Sequence, residues 1–122
     1  MKLLIVDDSS IMRRAIQKYL DENRIEVVGM AGNGLEAIDV FKKTDPDLVT
    51  MDITMPEMDG LTCLQELLKI KPSAKIMVIT ALTDNATGLR ALKLGAKNFL
   101  GKPFTPEKLN DAFQKLIEGP KR

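Results

Sequence analysis

Short apolar runs alternate with amphipathic segments along the whole chain. Leu3-Leu4-Ile5-Val6 is a continuous apolar run with β-branched residues, the mark of a strand buried on both faces. Met12, Ala15, Ile16, Tyr19 and Leu20 then follow at i, i+3, i+4, i+7 and i+8, one helical face, leaving Arg13, Arg14 and Lys18 for solvent. Ser9 or Ser10 can cap that helix. The alternation repeats. Strands are predicted at Glu26–Ala31, Leu48–Met51, Ile76–Thr80 and Lys97–Leu100. A helix opens at Asn33-Gly34 with Ala37, Ile38 and Phe41 on one face, and another covers Gly60–Ile70 with Leu61, Leu64, Leu67 and Leu68 inward. A further helix covers Asp84–Leu94 and closes at Gly95, in the position that favours glycine after a helix. The last helix is capped by Thr105, has Pro106 in its first position, and turns Leu109, Ala112, Phe113, Leu116 and Ile117 inward.

Strands alternating with helices in this way predict an α/β fold, a parallel sheet covered on both faces. Right-handed crossovers leave few topologies. The expected one is a flavodoxin-like (βα)5 three-layer sandwich with a five-stranded sheet in the order 2-1-3-4-5. The length of 122 residues predicts one domain over 1–122.

Composition narrows the function. Lys+Arg number 18 and Asp+Glu 17, a net charge of +1, which supplies no electrostatic footprint for nucleic acid or an anionic membrane. The apolar runs are far short of the roughly 20 residues that span a bilayer. Two acids follow the first apolar run, so the N-terminus does not read as a signal peptide. One cysteine rules out an internal disulfide and predicts a reducing, cytoplasmic compartment. With no histidine, a serine-hydrolase triad, most zinc enzymes and a histidine phosphocarrier are excluded.

In open parallel sheets ligands bind beyond the carboxyl ends of the strands, at the switch point. The expected strands end at Asp7-Asp8, Asp52 and Thr80, and the fifth is followed by Lys102-Pro103. With strands one and three adjacent, three carboxylates converge on one sheet edge. Like charges raise one another's pKa values, so the cluster calls for a hard divalent cation and an ammonium group. Mg²⁺ takes one or two carboxylates plus water and phosphate oxygens, and Lys102 is placed to supply the ammonium. Phosphoryl transfer to a carboxylate needs this set: an attacking carboxylate, cations for the equatorial oxygens, and a hydroxyl such as Thr80 for the product.

Four segments carry a resemblance at this point: Leu4-Ile5-Val6-Asp7-Asp8-Ser9, Met51-Asp52-Ile53-Thr54-Met55-Pro56-Glu57-Met58-Asp59-Gly60, Val78-Ile79-Thr80-Ala81 and Lys102-Pro103-Phe104. The chain resembles the receiver domains of bacterial two-component response regulators, and among them the stand-alone, CheY-like chemotaxis type. The resemblance covers essentially the whole chain. It implies that Asp52 is the phosphoacceptor, and that Asp8, Asp52 and the backbone carbonyl of Thr54 bind Mg²⁺ directly, with Mn²⁺ as a substitute. It implies that Asp7 supports the metal mostly through water, that Thr80 is the switch hydroxyl, and that Lys102 pairs with the phosphoryl oxygens before a cis Lys102–Pro103 bond. Phe99 is implied to be the aromatic switch residue that turns inward as Thr80 moves. Thr54 and Leu82 stand at the two hydrolysis-tuning positions, and neither orients an attacking water, so a long phosphoryl lifetime is expected. Phe99 has no hydroxyl, where a tyrosine would hydrogen-bond, and Gly101 stands where a branched residue is frequent.

Each residue has a plainer reading. Asp7-Asp8 suits a helix N-terminus, Asp52 a strand-end turn, Lys102 and Arg13-Arg14 a solvated surface, and Thr80 any β-strand. Cys63 needs no function, and the seven methionines suit core filling. It is the combination of Asp7-Asp8, Asp52 and Lys102 in register that carries the functional reading. A flavodoxin-like cofactor binder would want a neutral loop after strand one and more than 4% aromatic residues. An aspartyl-phosphate phosphatase would want an acid at position 54, which is threonine.

The expected function is therefore a phosphorylation-activated switch. It is not an enzyme beyond catalysing its own aspartyl phosphorylation and dephosphorylation. The resemblance implies a chemotaxis-type histidine kinase as donor, a flagellar motor switch protein as target, a phosphatase as a further partner, and a monomeric state. A phosphorelay intermediate, or a receiver separated from its output domain, is the alternative. With nothing after Arg122 to act as an output domain, output is expected by binding, on the face of the fourth helix, fifth strand and fifth helix. Gly88 inside the fourth helix costs roughly 1 kcal/mol relative to alanine, which predicts a soft helix there.

Overall fold

The computed structural model describes residues 1–20, 24–53, 58–81 and 85–118. Five strands and five helices alternate: β1 (Lys2–Val6), α1 (Ser10–Tyr19), β2 (Glu26–Ala31), α2 (Gly34–Thr44), β3 (Leu48–Asp52), α3 (Gly60–Ile70), β4 (Lys75–Ala81), α4 (Asn85–Lys93), β5 (Asn98–Lys102) and α5 (Pro106–Glu118). The strands form one parallel sheet in the order β2-β1-β3-β4-β5, the expected flavodoxin-like arrangement. The expected fourth helix began at Asp84, which lies outside the described residues. The expected fifth strand was placed too early. It starts at Asn98 and runs on through Gly101 to Lys102, because those two pair with Thr80 and Ala81 of β4.

The sheet separates two cores, which gives the three layers. On one side Leu4, Val6, Val49, Met51, Ile76 and Val78 meet Phe41 of α2, Leu64 and Leu67 of α3, and Ala91 of α4. On the other side Leu3, Ile5, Leu48, Met77 and Ile79 meet Ile16 of α1 and Leu109, Phe113 and Leu116 of α5. This division follows from side-chain alternation along each strand. Both faces are covered, so all five positions of β3 are buried.

The helix ends are set by local chemistry. Ser9, not Ser10, caps α1, accepting from the Met12 N–H at 3.2 Å. Asn33, Asp59 and Thr105 accept in the same way from the N–H groups of Glu36, Thr62 and Lys108. After α4, Gly95 has φ +118°, the Gly95 N–H donates to Leu92 O, and the Ala96 N–H donates to Ala91 O. That pair of bonds is a Schellman closure, and it turns the chain into β5. Cys63 lies buried in α3, and burial pushes its thiol pKa up to about 12, which makes it inert at neutral pH. Among the described residues no helix is long and apolar enough to cross a membrane.

Candidate functional site

The strand order reverses between β1 and β3, and the carboxyl ends of these two strands lie side by side. Val6 pairs with Met51, so Asp7 and Asp52 are the next residues on adjacent strands. Asp7 is 1% exposed and Asp52 6%, whereas Asp8 is open to solvent. One carboxylate oxygen from each of Asp7, Asp8 and Asp52 lies within 4.8 Å of the others. Two buried carboxylates this close repel by about 3–4 kcal/mol at an effective dielectric of 20.

Part of that repulsion is offset. The Lys102 ammonium lies 3.3 Å from Asp7 Oδ2 and 3.7 Å from Asp52 Oδ1. The Ser9 N–H donates to Asp7 Oδ1 at 2.9 Å, and the Arg13 guanidinium donates to the Asp7 carbonyl at 2.5 Å. Lys102 ends β5 and is followed by a cis bond to Pro103, as expected. Three carboxylates against the Lys102 ammonium and the Arg13 guanidinium still leave the site net negative. Oxygen-only donors with that net charge, partly dry and partly open through Asp8, fit a hard divalent cation.

Two further residues stand at the same edge. Thr80, 7% exposed, is the neighbour of Ile79, which pairs with Asp52, and is itself opposite Gly101. It therefore sits between the strands that carry Asp52 and Lys102. By alternation it shares a face with Val78, and Val78 pairs with Phe99, so Thr80 and Phe99 lie diagonally on that face. Gly60 holds the other flank. Its N–H donates to the Ile53 carbonyl at 2.8 Å, which draws the start of α3 against the end of β3. Thr54 and Leu82 lie outside the described residues, as do Met55, Pro56 and Glu57 of the second motif.

The structure thus brings Asp7, Asp8, Asp52 and Lys102 together and sets Thr80 beside them. Arg13 is a correction. Its periodicity put it on a solvated face, but it is half-buried and reaches back from α1 to the strand end. Nothing in the local pattern signals that contact, because it spans a helix turn and a strand. The interior glycine Gly88 also has a packing reason. The helix is continuous through it, and it is buried where the ring of Phe99 approaches α4.

The family of response regulator receiver domains matches residues 3–114 of this chain. The chain belongs to that family. As a receiver domain it is 44% identical over 115 residues to the chemotaxis protein CheY of Thermotoga maritima, covering 94% of this chain and 96% of that protein. It is 43% identical over 116 residues to the CheY of Bacillus subtilis, covering 95% and 97%. Among solved structures, a CheX–CheY complex with BeF3 and Mg²⁺ from Borrelia burgdorferi matches with TM-score 0.89 and 31% identity, covering 96% of this chain and 89% of that one. The receiver domain of AraT from Geobacillus stearothermophilus matches with TM-score 0.89 and 33% identity, covering 96% and 92%. Receiver domains are signalling switches and bind Mg²⁺ through an acidic cluster of the kind formed here by Asp7, Asp8 and Asp52.

Proposed function

We propose that this chain is a single receiver domain over residues 1–122 that accepts a phosphoryl group on Asp52 from a chemotaxis-type histidine kinase. The observation that carries the reading is the convergence of Asp7, Asp8 and Asp52 within 4.8 Å, with Lys102 paired to two of them. Asp52 is the acceptor that the receiver family implies, and its buried place at the end of β3, 3.7 Å from the Lys102 ammonium, supports that role. Its carboxylate oxygen attacks phosphorus, the bond to the donor histidine breaks, and an acyl phosphate is left. Asp8, Asp52 and the Thr54 carbonyl would hold Mg²⁺, or Mn²⁺ in its place, with Asp7 supporting it through water. When bound, the ion neutralises charge on the transferring phosphoryl oxygens. Lys102 leaves the carboxylates to pair with those oxygens, and Thr80 moves to donate its hydroxyl. Phe99 follows Thr80, and the pre-existing balance between two conformers shifts.

The domain catalyses only its own aspartyl phosphorylation and dephosphorylation. It works as a cytoplasmic monomer, without nucleic acid or membrane, and signals by binding a flagellar motor switch protein; a phosphatase resets it. The similarity to CheY proteins over nearly their whole length supports the chemotaxis assignment. The test is transfer from a labelled chemotaxis kinase to the wild type and to Asp52→Asn, followed by capture on a motor switch protein. Label on the wild type alone, with capture that rises on labelling, is expected. Label that passes onward to a histidine protein with no gain in capture would instead make this a phosphorelay intermediate.

A further inference from the structure

Gly88 is buried within α4. A Cβ at this position would lie 2.7 Å from Phe99 Cδ2, 2.8 Å from Cε2 and 3.0 Å from Cγ. Carbon atoms in contact settle at about 3.5–4.0 Å, so no side chain larger than hydrogen coexists with the ring where it is. The clash includes Cγ, the root of the ring. Flipping the ring about its own axis therefore does not relieve it, and either the ring leaves or the helix moves. Phe99 has no hydroxyl, so packing alone holds the ring. The ring is half-buried and sits on the Thr80 face of the sheet, against the core formed with α2, α3 and α4.

We propose that Gly88 is the seat of the Phe99 ring and that this seat sets the resting bias of the switch. The inference rests on the receiver reading above, in which Thr80 and Phe99 move together. In the arrangement seen here Lys102 is paired with Asp7 and Asp52 and the ring is seated on α4. On that receiver reading Lys102 leaves the carboxylates when Asp52 is phosphorylated, so the pairing seen here belongs to the resting arrangement, and the seat stabilises it. A methyl group at position 88 withdraws that stabilisation from one conformer only. By linkage it strengthens the binding of anything that favours the other conformer. Gly88 is a positioning residue, acting on the phosphorylation site through Phe99 and Thr80 without touching either reactant.

The test uses the full chain, with beryllofluoride and Mg²⁺ as a phosphoryl mimic, and compares the wild type, Gly88→Ala, Phe99→Ala and the double variant. The aromatic NMR signals of Phe99 are assigned by their loss in Phe99→Ala, and loading is read from the Asp52 amide. In unloaded Gly88→Ala the Phe99 signals move toward their positions in the loaded wild type. Half-loading occurs at a concentration lower by about fivefold or more, the low end of ordinary coupling between sites. With no ring to displace, Phe99→Ala and the double variant load alike. A Gly88→Ala chain that folds only when Phe99 is also replaced supports the seat as well. Unmoved ring signals, or moved signals with unchanged half-loading, overturn the proposal. A wild type that does not load overturns the receiver reading instead, and a displacement of the ring signals between unloaded wild type and unloaded Gly88→Ala still decides whether Gly88 is a seat.

Discussion

Replacing Gly60 with alanine tests how the end of β3 is held. A Cβ on Gly60 would lie 2.4 Å from the Asp52 carbonyl oxygen, 2.6 Å from Ile53 Cα and 3.0 Å from the Asp52 carbonyl carbon. All three obstacles are backbone, so no rotamer change relieves them, and β3 is buried along its length and cannot easily retreat. Overpacking that side chains can absorb costs about 1–3 kcal/mol, and the backbone obstacle puts Gly60→Ala at the upper end, about 3 kcal/mol. The better helix propensity of alanine returns at most about 1 kcal/mol, and Gly60 is only the first residue of α3. The net loss is about 2 kcal/mol, which lowers a urea midpoint by about 1 M at an ordinary m-value. Asp52 moves with its carbonyl, so phosphorylation by acetyl phosphate slows too. Gly32→Ala is the control. Its nearest obstacle is the Arg13 guanidinium end at 3.5 Å, so its stability stays within about 0.5 kcal/mol of wild type and its midpoint barely moves. A Gly60→Ala midpoint equal to that of Gly32→Ala, or above the wild type, would refute this reasoning.

Three other outcomes follow from the same physical arguments. The Thr50 hydroxyl is fully buried and has no hydrogen-bond partner among the described residues, so Thr50→Val gains about 1 kcal/mol in urea unfolding, and a loss counts against the reading. The Asp47 carboxyl is held below its ordinary value, chiefly because it accepts the Lys2 backbone N–H, with Lys71 nearby. A depressed carboxyl stabilises the fold above its unfolded pKa and loses that contribution as pH falls through the folded value. Asp47→Asn is thus less stable than wild type at neutral pH, and the gap closes in acid; a gap constant with pH contradicts this. The Thr54→Asn, Leu82→Glu variant loses its phosphoryl group faster than the wild type, measured by decay of the labelled protein. Equal or slower decay would show that these positions do not set the lifetime.

The β strands were legible because each is an apolar run bounded by polar residues, as at Ile76–Thr80. The exception is the end of β5, where Gly101 and Lys102 carry no apolar signal and are strands only through pairing with β4. The acidic cluster was legible for a topological reason: once the order 2-1-3-4-5 is inferred, Asp7 and Asp52 must meet. Contacts set by three-dimensional approach were not. Arg13 at the Asp7 carbonyl, Gly60 against Asp52 and Gly88 under Phe99 each join elements whose local patterns are silent about one another. Ser9 and Ser10 were equivalent as caps in the sequence, and the backbone at Ser9 decides between them.

The most direct test of the central claim is intact-mass spectrometry after incubation with acetyl phosphate, with and without Mg²⁺, on the wild type and Asp52→Asn. The site geometry predicts a single phosphoryl adduct on the wild type that requires Mg²⁺ and is absent from Asp52→Asn. An adduct that survives in folded Asp52→Asn, or a folded wild type that gains none with Mg²⁺ present, would contradict Asp52 as the phosphoacceptor of this site.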